Sequence, residues 1–191
     1  MNGHTIVVAN RRLGLARLQR DFPGHAVCDI TKNSSDEDFV QLSPFYPHAG
    51  IPIPFASITA QSVEGLWQGL KVFRRMDGSV EDIDGRCFAN RTQKGIKRTL
   101  RAKGRSKCLG HRCIDSGTLL DYREARTQIY VPAYRFVLEN RAQLAIRKLL
   151  EFWKQAPIVL LDYSTNLDID DLRTPLSHAG LVRQYMIEIA A

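Results

Sequence analysis

The spacing of apolar residues between Ser62 and Phe73 predicts a short amphipathic helix. Its apolar face comprises Val63, Leu66, Trp67, Leu70 and Phe73. Glu64, Gln68 and Lys71 lie one and two turns apart, on a polar stripe beside that face. A helix of this kind can hold a carboxylate at the wall of a cleft, where burial and neighbouring charges shift its pKa. The pattern therefore indicates a candidate active-site helix that begins after Ser62.

The rest of the pattern predicts a few strands among more extensive helices. Apolar runs predict strands over residues 5–9, 26–30 and 158–161. Apolar residues at helical spacing predict helices over residues 121–128, 133–155 and 177–189. Prolines exclude regular helix from the aromatic run 45–55, which is expected to be an ordered loop. The expected fold class is α+β, mainly α-helical, with a few short strands in one domain that spans residues 1–191.

Positive charge is concentrated in residues 86–112, which we call the basic segment. It contains ten Lys or Arg residues and no Asp or Glu, whereas the rest of the chain holds 17 basic and 20 acidic residues. The net charge of +7 therefore originates here, and a polyanion such as DNA is the expected partner. A short helix is predicted over residues 92–102, with mobile loops on either side. The candidate nucleic-acid contacts are Arg91, Lys94, Lys97, Arg98, Arg101, Lys103, Arg105 and Lys107. The alternative is a solvated surface without a ligand, because charge runs are commonly just that.

Composition and cysteine usage fit an ordinary globular protein. The 191 residues are 44% hydrophobic, enough for a substantial core. With no apolar run long enough for a membrane span and no signal-peptide pattern, the expected location is cytoplasmic. Four scattered cysteines favour a reducing compartment over a disulfide framework.

Metal and nucleotide motifs are weak in this sequence. A zinc site built from Cys87, Cys108, His111 and Cys113 is disfavoured, because the spacing lacks a tight ligand pair. Residues 166–171 lack the glycine and the closing glutamate of a calcium loop. No Gly-rich dinucleotide or Walker motif is present. We therefore expect neither a metal nor another cofactor.

Two short motifs resemble the signatures of the NADAR superfamily. They are the turn Ser43-Pro44-Phe45-Tyr46-Pro47 and the segment Ser62-Val63-Glu64-Gly65-Leu66-Trp67-Gln68-Gly69-Leu70-Lys71. The family reads roughly Ser-Asn-Phe-Tyr-Pro and then Val-Glu-His-x-x-Gln-Ala-x-Lys. Glu64, Gln68 and Lys71 match in identity and spacing. Pro44 and Gly65 replace the family's Asn and His, so substrate contacts at these two positions are not carried over.

A looser match continues downstream, so that the resemblance covers roughly residues 42–170. Family members have a Gly-Arg loop, an Asp-Trp helix start and a strand that ends in an acid, followed by a second acid. Gly110 with Arg112, the pair Asp121-Tyr122, Asp162 and Asp168 follow in that order. Here Asp162 stands where the family has Glu, and the Trp-Gly after the second acid is missing.

The resemblance implies a compact α-helical domain and N-glycosidase chemistry. Some family members cleave phosphoribosylated riboflavin intermediates, and others remove ADP-ribose from guanine bases of DNA. Cleavage of an N-glycosidic bond builds positive charge on the sugar, which a carboxylate stabilises. Glu64 is the candidate for this carboxylate, and Lys71 or Arg112 for protonating or neutralising the departing base. Asp162 is carried over as a further catalytic residue on the resemblance alone.

The remaining candidate residues would bind the substrate. Gln68 would orient the sugar hydroxyls or water, and Phe45 and Tyr46 would offer aromatic faces to the base. Asp168 is included on the resemblance alone. If the base lies in a duplex, it must be flipped out of the stack, and the basic segment would hold the surrounding phosphates.

Three hypotheses follow. The first is an N-glycosidase acting on a modified base in nucleic acid, such as an ADP-ribosylated base or a glucosylated phage-type base, which would suit phage defence and leave an abasic site. The second is the same chemistry on a soluble phosphorylated nucleoside or ADP-ribose conjugate. The third is a non-catalytic nucleic-acid-binding module, in which Glu64 is an ordinary helix carboxylate paired with Gln68 or Lys71.

Overall fold

The computed structural model describes residues 4–100 and 104–191. The chain divides into two compact units, the first formed by Met1–Ser43 with Leu138–Ala191 and the second by Pro44–Val137. Among the described residues, no helix combines the length and apolar character that a membrane span requires. The expectation of one domain over residues 1–191 stays a prediction.

The first unit contains a three-stranded parallel sheet with β9 at its centre. Strands β1 (Ile6–Asn10) and β2 (Ala26–Asp29) each pair with β9 (Ile158–Asp162). All five residues of β9 are buried, as a central parallel strand requires. Helix α1 (Leu15–Asp21) packs through Leu18 against a cluster that includes Val159 and Leu161. The three strands predicted from the sequence are thereby confirmed.

Two helices near the C-terminus complete the regular structure of this unit. They are α6 (Gln143–Gln155) and α7 (His178–Ala190). A 3₁₀ turn, Phe39–Leu42, lies against α6. Ser177 caps α7, because its side chain accepts a hydrogen bond from the main-chain N of Gly180.

The second unit is built around a curled four-stranded antiparallel sheet in the order β6-β5-β7-β8. Its strands are β5 (Lys71–Arg75), β6 (Val80–Glu81), β7 (Arg105–Arg112) and β8 (Leu119–Leu120). A two-stranded hairpin, β3 (Ile51–Pro52) with β4 (Thr59–Ala60), leads into helix α2 (Val63–Gly69). Ser62 caps α2 by accepting a hydrogen bond from the N of Gly65. The short helix α3 (Gly85–Phe88) packs on α2.

A long helical segment closes the second unit. It begins with α4 (Tyr122–Ala125), continues through a π-helical turn (Arg126–Tyr130) and becomes α5 (Val131–Asn140), within which the boundary between the units falls. Asp121 and Glu124 form a capping box at its start.

Several sequence predictions about the fold are wrong. The protein is about 36% helix and 20% strand, so it is α+β without being mainly α-helical. The helix predicted over residues 133–155 is two helices, because the chain breaks at residues 141–142, where the Gln143 side chain bonds the Leu138 carbonyl. The described residues 92–100 of the basic segment contain no helix, and residues 105–112 form strand β7.

Candidate functional site

Helix α2 ends earlier than its apolar pattern predicts, and this end shapes the site. The helix stops at Gly69, and Lys71 is the first residue of β5, paired with His111 of β7. The predicted stripe is nevertheless continuous. Gln68 Nε2 donates to Glu64 Oε1 at 2.8 Å, and Lys71 Nζ donates to Gln68 Oε1 at 3.0 Å.

Burial distinguishes this polar stripe from an ordinary pair of hydrogen-bonded side chains on a helix surface. Gln68 is 7% exposed, whereas Glu64 and Lys71 are half-buried. Burial lowers the pKa of Lys71 below its usual value, although the nearby Glu64 carboxylate acts in the opposite direction. Within the part of the chain that is described, only Oε1 of the two Glu64 carboxylate oxygens accepts a hydrogen bond from another side chain.

The proline-aromatic turn lies beside Glu64. The main-chain N of Glu64 donates to the carbonyl of Pro44 at 2.8 Å. Phe45 is half-buried, and a methyl group added to Gly95 would lie 3.1 Å from its ring and 3.8 Å from Glu64 Cγ. Tyr46 is also half-buried and packs on His48, with ring centroids 4.7 Å apart. Glu64, Gln68, Lys71 and Phe45 therefore form one cluster with the loop that contains Gly95.

His111, which the sequence offered only as a disfavoured zinc ligand, adds a buried imidazole next to Lys71. It is 1% exposed and packs against Trp67, with ring centroids 3.8 Å apart and the ring planes tilted by 33°. Burial, helped by the Lys71 and Arg98 charges, lowers the pKa of His111 to about 3, so its ring is neutral at physiological pH. Within residues 4–100 and 104–191, neither ring nitrogen has a hydrogen-bond partner.

The structure separates the cations of the basic segment into buried and exposed groups. Arg98 and Arg105 are 2% and 9% exposed, and both pair with Glu81 of β6. Their guanidinium groups also lie 5.2 and 4.7 Å from the ring centre of Phe73. Arg105 and Arg98 together lower the pKa of Glu81 to about 2. These two guanidiniums hold the fold together and are not presented to a phosphate backbone.

The other candidate cations differ in their availability. Arg112 Nε donates to Asp82 Oδ1 at 3.1 Å, so this predicted substrate-binding residue already has a carboxylate partner. The exposed cations among the described candidates are Arg91, Lys94, Lys97 and Lys107. Arg101 and Lys103 lie outside the described residues. Sequence reasoning missed Glu81 and Asp82 as partners, although there was a signal: three acids, Glu81, Asp82 and Asp84, lie just upstream of a basic segment that contains no acid.

Asp162 belongs to the first unit and is fully engaged there. Its Oδ2 lies 2.9 Å from His178 Nδ1 and 2.7 Å from Ser177 Oγ, while Oδ1 accepts from the main-chain N of Tyr163 at 2.6 Å. Burial alone would raise the pKa of Asp162, but His178 and the hydrogen bonds lower it to about 2. The carboxylate thus anchors the start of α7 to the end of β9.

Asp168 and the four possible metal ligands do not form a site. Asp168 is exposed, and its Oδ1 accepts a hydrogen bond from the N of Asp170 at 2.9 Å, which is ordinary turn chemistry. In the described ranges, no three His, Cys, Asp or Glu side chains are grouped so that they could hold a metal ion. The zinc alternative for Cys87, Cys108, His111 and Cys113 therefore has no support.

Comparison with known proteins identifies a family of unknown function. No curated protein matches the chain, and no solved structure matches it either. The model of a family of unknown function, DUF6939, matches residues 10–182. Because this match spans most of the chain, the protein belongs to the DUF6939 family.

Proposed function

We propose that this protein is an N-glycosidase, with a NADAR-like catalytic line, that hydrolyses the N-glycosidic bond of a modified base in nucleic acid and leaves an abasic site. One observation carries the proposal. Glu64, Gln68 and Lys71 form one hydrogen-bonded chain of partly buried side chains, and only Oε1 of the Glu64 carboxylate takes part in that chain. A positioned carboxylate with a nearby ammonium suits a reaction that leaves a cationic sugar and an anionic base.

Glu64, Gln68 and Lys71 each have a role in the proposed reaction. Glu64 stabilises the positive charge that develops on the sugar as the C–N bond to the base breaks. It then accepts a proton from the attacking water, whose oxygen forms the new bond to the sugar carbon. Lys71 donates a proton to the departing base, and its lowered pKa makes it a better acid at neutral pH than an exposed lysine. Gln68 fixes the carboxylate through its amide. Phe45, beside Glu64, offers a ring face to the base, and Tyr46 is next to it in the turn.

The proposal rests on the site and not on the fold. The resemblance implies a compact α-helical domain, whereas the second unit is built on a four-stranded antiparallel sheet. Asp162 and Asp168 are left out of the catalytic proposal, because the first has a full set of partners and the second forms a turn. Glu64 with Gln68 alone would be an ordinary helical pair, and the feature that distinguishes the site is the hydrogen bond from Lys71 to the same amide.

A nucleic-acid substrate is supported by the exposed cations around the loop that contains Gly95. Lys94 is adjacent to Gly95, whose backbone lies against Phe45 and Glu64. Lys97 and Arg91 are exposed in the same segment. Phosphates on either side of a flipped nucleotide would be neutralised by such side chains.

The second candidate keeps the chemistry but takes a soluble phosphorylated nucleoside or ADP-ribose conjugate. The burial of Arg98 and Arg105 and the pairing of Arg112 with Asp82 favour it, because fewer cations are then available than the sequence count suggests. A small ligand with one or two phosphates needs fewer cations than a duplex does.

The test is an abasic-site assay with matched carboxylate variants. Wild type, Glu64→Gln and Glu37→Gln are incubated with unmodified DNA and with DNA carrying ADP-ribosylated or glucosylated bases. Alkali-labile sites are then counted. Glu37 is exposed and remote in sequence, so Glu37→Gln controls for the loss of one carboxylate. We expect wild type and Glu37→Gln to cleave modified DNA, and Glu64→Gln to be slower by about 10²-fold or more.

Two further results would separate the alternatives. Release of a free base from a soluble conjugate, with no sites in any DNA, would establish the second candidate. Salt-dependent DNA binding unchanged in Glu64→Gln, without turnover of any substrate, would overturn the proposal and favour a non-catalytic binding module.

A further inference from the structure

Arg98 occupies the C-terminal end of helix α2. The last carbonyls of a helix have no partner within it and carry partial negative charge. Arg98 Nη1 lies 3.2 Å from the Gln68 carbonyl oxygen, 3.1 Å from that of Gly69 and 2.6 Å from that of Lys71. Nη2 donates to the Asp82 carbonyl at 2.6 Å. One guanidinium from a distant part of the chain thus caps α2 and holds the turn into β5.

The main chain of the same residue contacts the candidate catalytic line. The Arg98 N–H donates to Gln68 Oε1 at 3.0 Å, and Lys71 Nζ donates to the same oxygen. Two donors at one position identify that atom as the amide oxygen, because a reversed amide would place its NH₂ group against both. The Gln68 NH₂ group must therefore face Glu64.

We propose that Arg98 is a positioning residue of the site: its guanidinium fixes residue 98 at the end of α2, and its N–H thereby locks the Gln68 amide toward Glu64. The catalytic consequence rests on the function proposed above, whereas the locking of the amide does not. Without the Arg98 guanidinium, Gln68 Oε1 retains Lys71 as a donor, but the main-chain N–H of residue 98 is no longer held against it, and the amide rotates more freely. The Glu64 carboxylate then loses a fixed donor.

Arg105 provides a matched comparison within the same ion-pair cluster. Both arginines pair with Glu81, and both lie over Phe73. Arg105 bonds the carbonyl of Thr99 at 3.1 Å. Among the described residues, the Arg105 side chain bonds only Glu81 and Thr99, whereas Arg98 bonds the carbonyls of Gln68, Gly69 and Lys71. Replacement of either arginine disturbs the cluster, but replacement of Arg98 alone should release the amide.

The experiment follows the Gln68 side-chain amide by NMR in wild type, Arg98→Lys and Arg105→Lys. Lysine keeps the charge but cannot reproduce the several directed bonds of a guanidinium. In wild type and Arg105→Lys we expect one well-resolved pair of Gln68 amide signals that exchanges slowly with water. In Arg98→Lys we expect exchange to be faster by about tenfold, the scale of one lost hydrogen bond.

Activity gives the second measurement. If the glycosidase assay succeeds, Arg98→Lys should lower kcat by about tenfold with little change in KM, because the interaction acts on the carboxylate and not on substrate binding. Arg105→Lys should keep kcat within about threefold of wild type. If no substrate is cleaved by wild type, the proposed function fails, and the amide measurement still decides the role of Arg98.

Three outcomes would overturn the inference. Fast exchange of the Gln68 amide in wild type would do so without any variant, even if Arg98→Lys does not fold. Slow exchange retained in Arg98→Lys would do so as well. Equal loss of protection in Arg98→Lys and Arg105→Lys would assign Arg98 to the stability of the cluster alone.

Discussion

At the scale of single residues, two glycines account for how the candidate helix is seated. A methyl group on Gly65 would lie 2.5 Å from the carbonyl oxygen of Cys87, and one on Gly69 would lie 2.1 Å from the Phe88 ring. Helices α2 and α3 therefore approach so closely that only glycine fits at these positions. Gly65 stands where the NADAR pattern has His, and a histidine at this position would require α3 to move.

Gly65→Ala is expected to destabilise the protein by about 1–3 kcal/mol, because backbone at Cys87 must shift to admit the methyl group. Alanine's better helix propensity offsets only part of this cost. Urea denaturation measures the change. Gly85→Ala is the control, since a methyl group there meets nothing within 4 Å. Equal stability of Gly65→Ala and wild type would refute the close contact.

At the scale of elements, the start of α7 depends on a buried ion pair within the first unit. His178 Nδ1 faces Asp162 Oδ2 at 2.9 Å, and Nε2 faces the carbonyl of Ile30 at 3.1 Å. Both neighbours are acceptors, so both ring nitrogens must donate and the ring must be charged. Burial alone would lower the pKa of His178, but the Asp162 carboxylate outweighs it, and the pKa is raised above 6.5.

This pair predicts a stability profile with two limbs. His178 contributes stability that is fully present below its unfolded pKa of 6.5 and is lost as pH rises through the raised folded pKa. Asp162 contributes stability that is present above 3.8 and is lost as pH falls through about 2. We therefore expect the free energy of unfolding to fall on the alkaline side of 6.5.

Urea denaturation of wild type, His178→Gln and His25→Gln at a series of pH values tests this profile. His178→Gln should be less stable near pH 6 and should lose the alkaline decline that this pair causes, while His25→Gln should keep it. An unchanged alkaline limb in His178→Gln would show that another group is responsible.

At the scale of the whole molecule, only some of the cations that are adjacent in the basic segment are free to bind an anion. Of the ten cations in the basic segment, Arg98 and Arg105 are buried, and Arg86 and Arg112 are paired with Asp84 and Asp82. Six remain as candidate phosphate contacts: Arg91, Lys94, Lys97, Arg101, Lys103 and Lys107, of which Arg101 and Lys103 lie outside the described residues.

The salt dependence of duplex DNA binding should correspond to six phosphate contacts and not to ten. With a slope of about −0.9 per phosphate contact, six cations give a log–log slope no steeper than about −5, against about −9 for all ten. Fluorescence anisotropy over a series of NaCl concentrations measures this slope. A value near −9 would mean that the two buried and the two ion-paired arginines also contact phosphates, and absence of DNA binding would support the soluble substrate.

Local patterns in the sequence determined several elements by themselves. The apolar runs of β1, β2 and β9, the Ser62 cap of α2 and the Ser177 cap of α7 are signals carried by a few neighbouring residues. The polar stripe was also readable, because Glu64 and Gln68 lie on one helix and Lys71 follows within reach. These signals need no partner from elsewhere in the chain.

Only the tertiary structure decided the remainder, because the deciding interactions join distant residues. The spacing of apolar residues predicts that α2 continues to Phe73. Residues 71–75 instead pair with β7 and form a strand. The basic segment looked like an exposed helix with loops, whereas Gly95 adopts a φ of +63° and Arg98 reaches the end of α2. The local sequence does not determine whether a lysine or arginine is exposed or buried. Its burial depends on whether acceptors from elsewhere in the chain, such as Glu81 and the carbonyls of α2, lie within hydrogen-bonding distance.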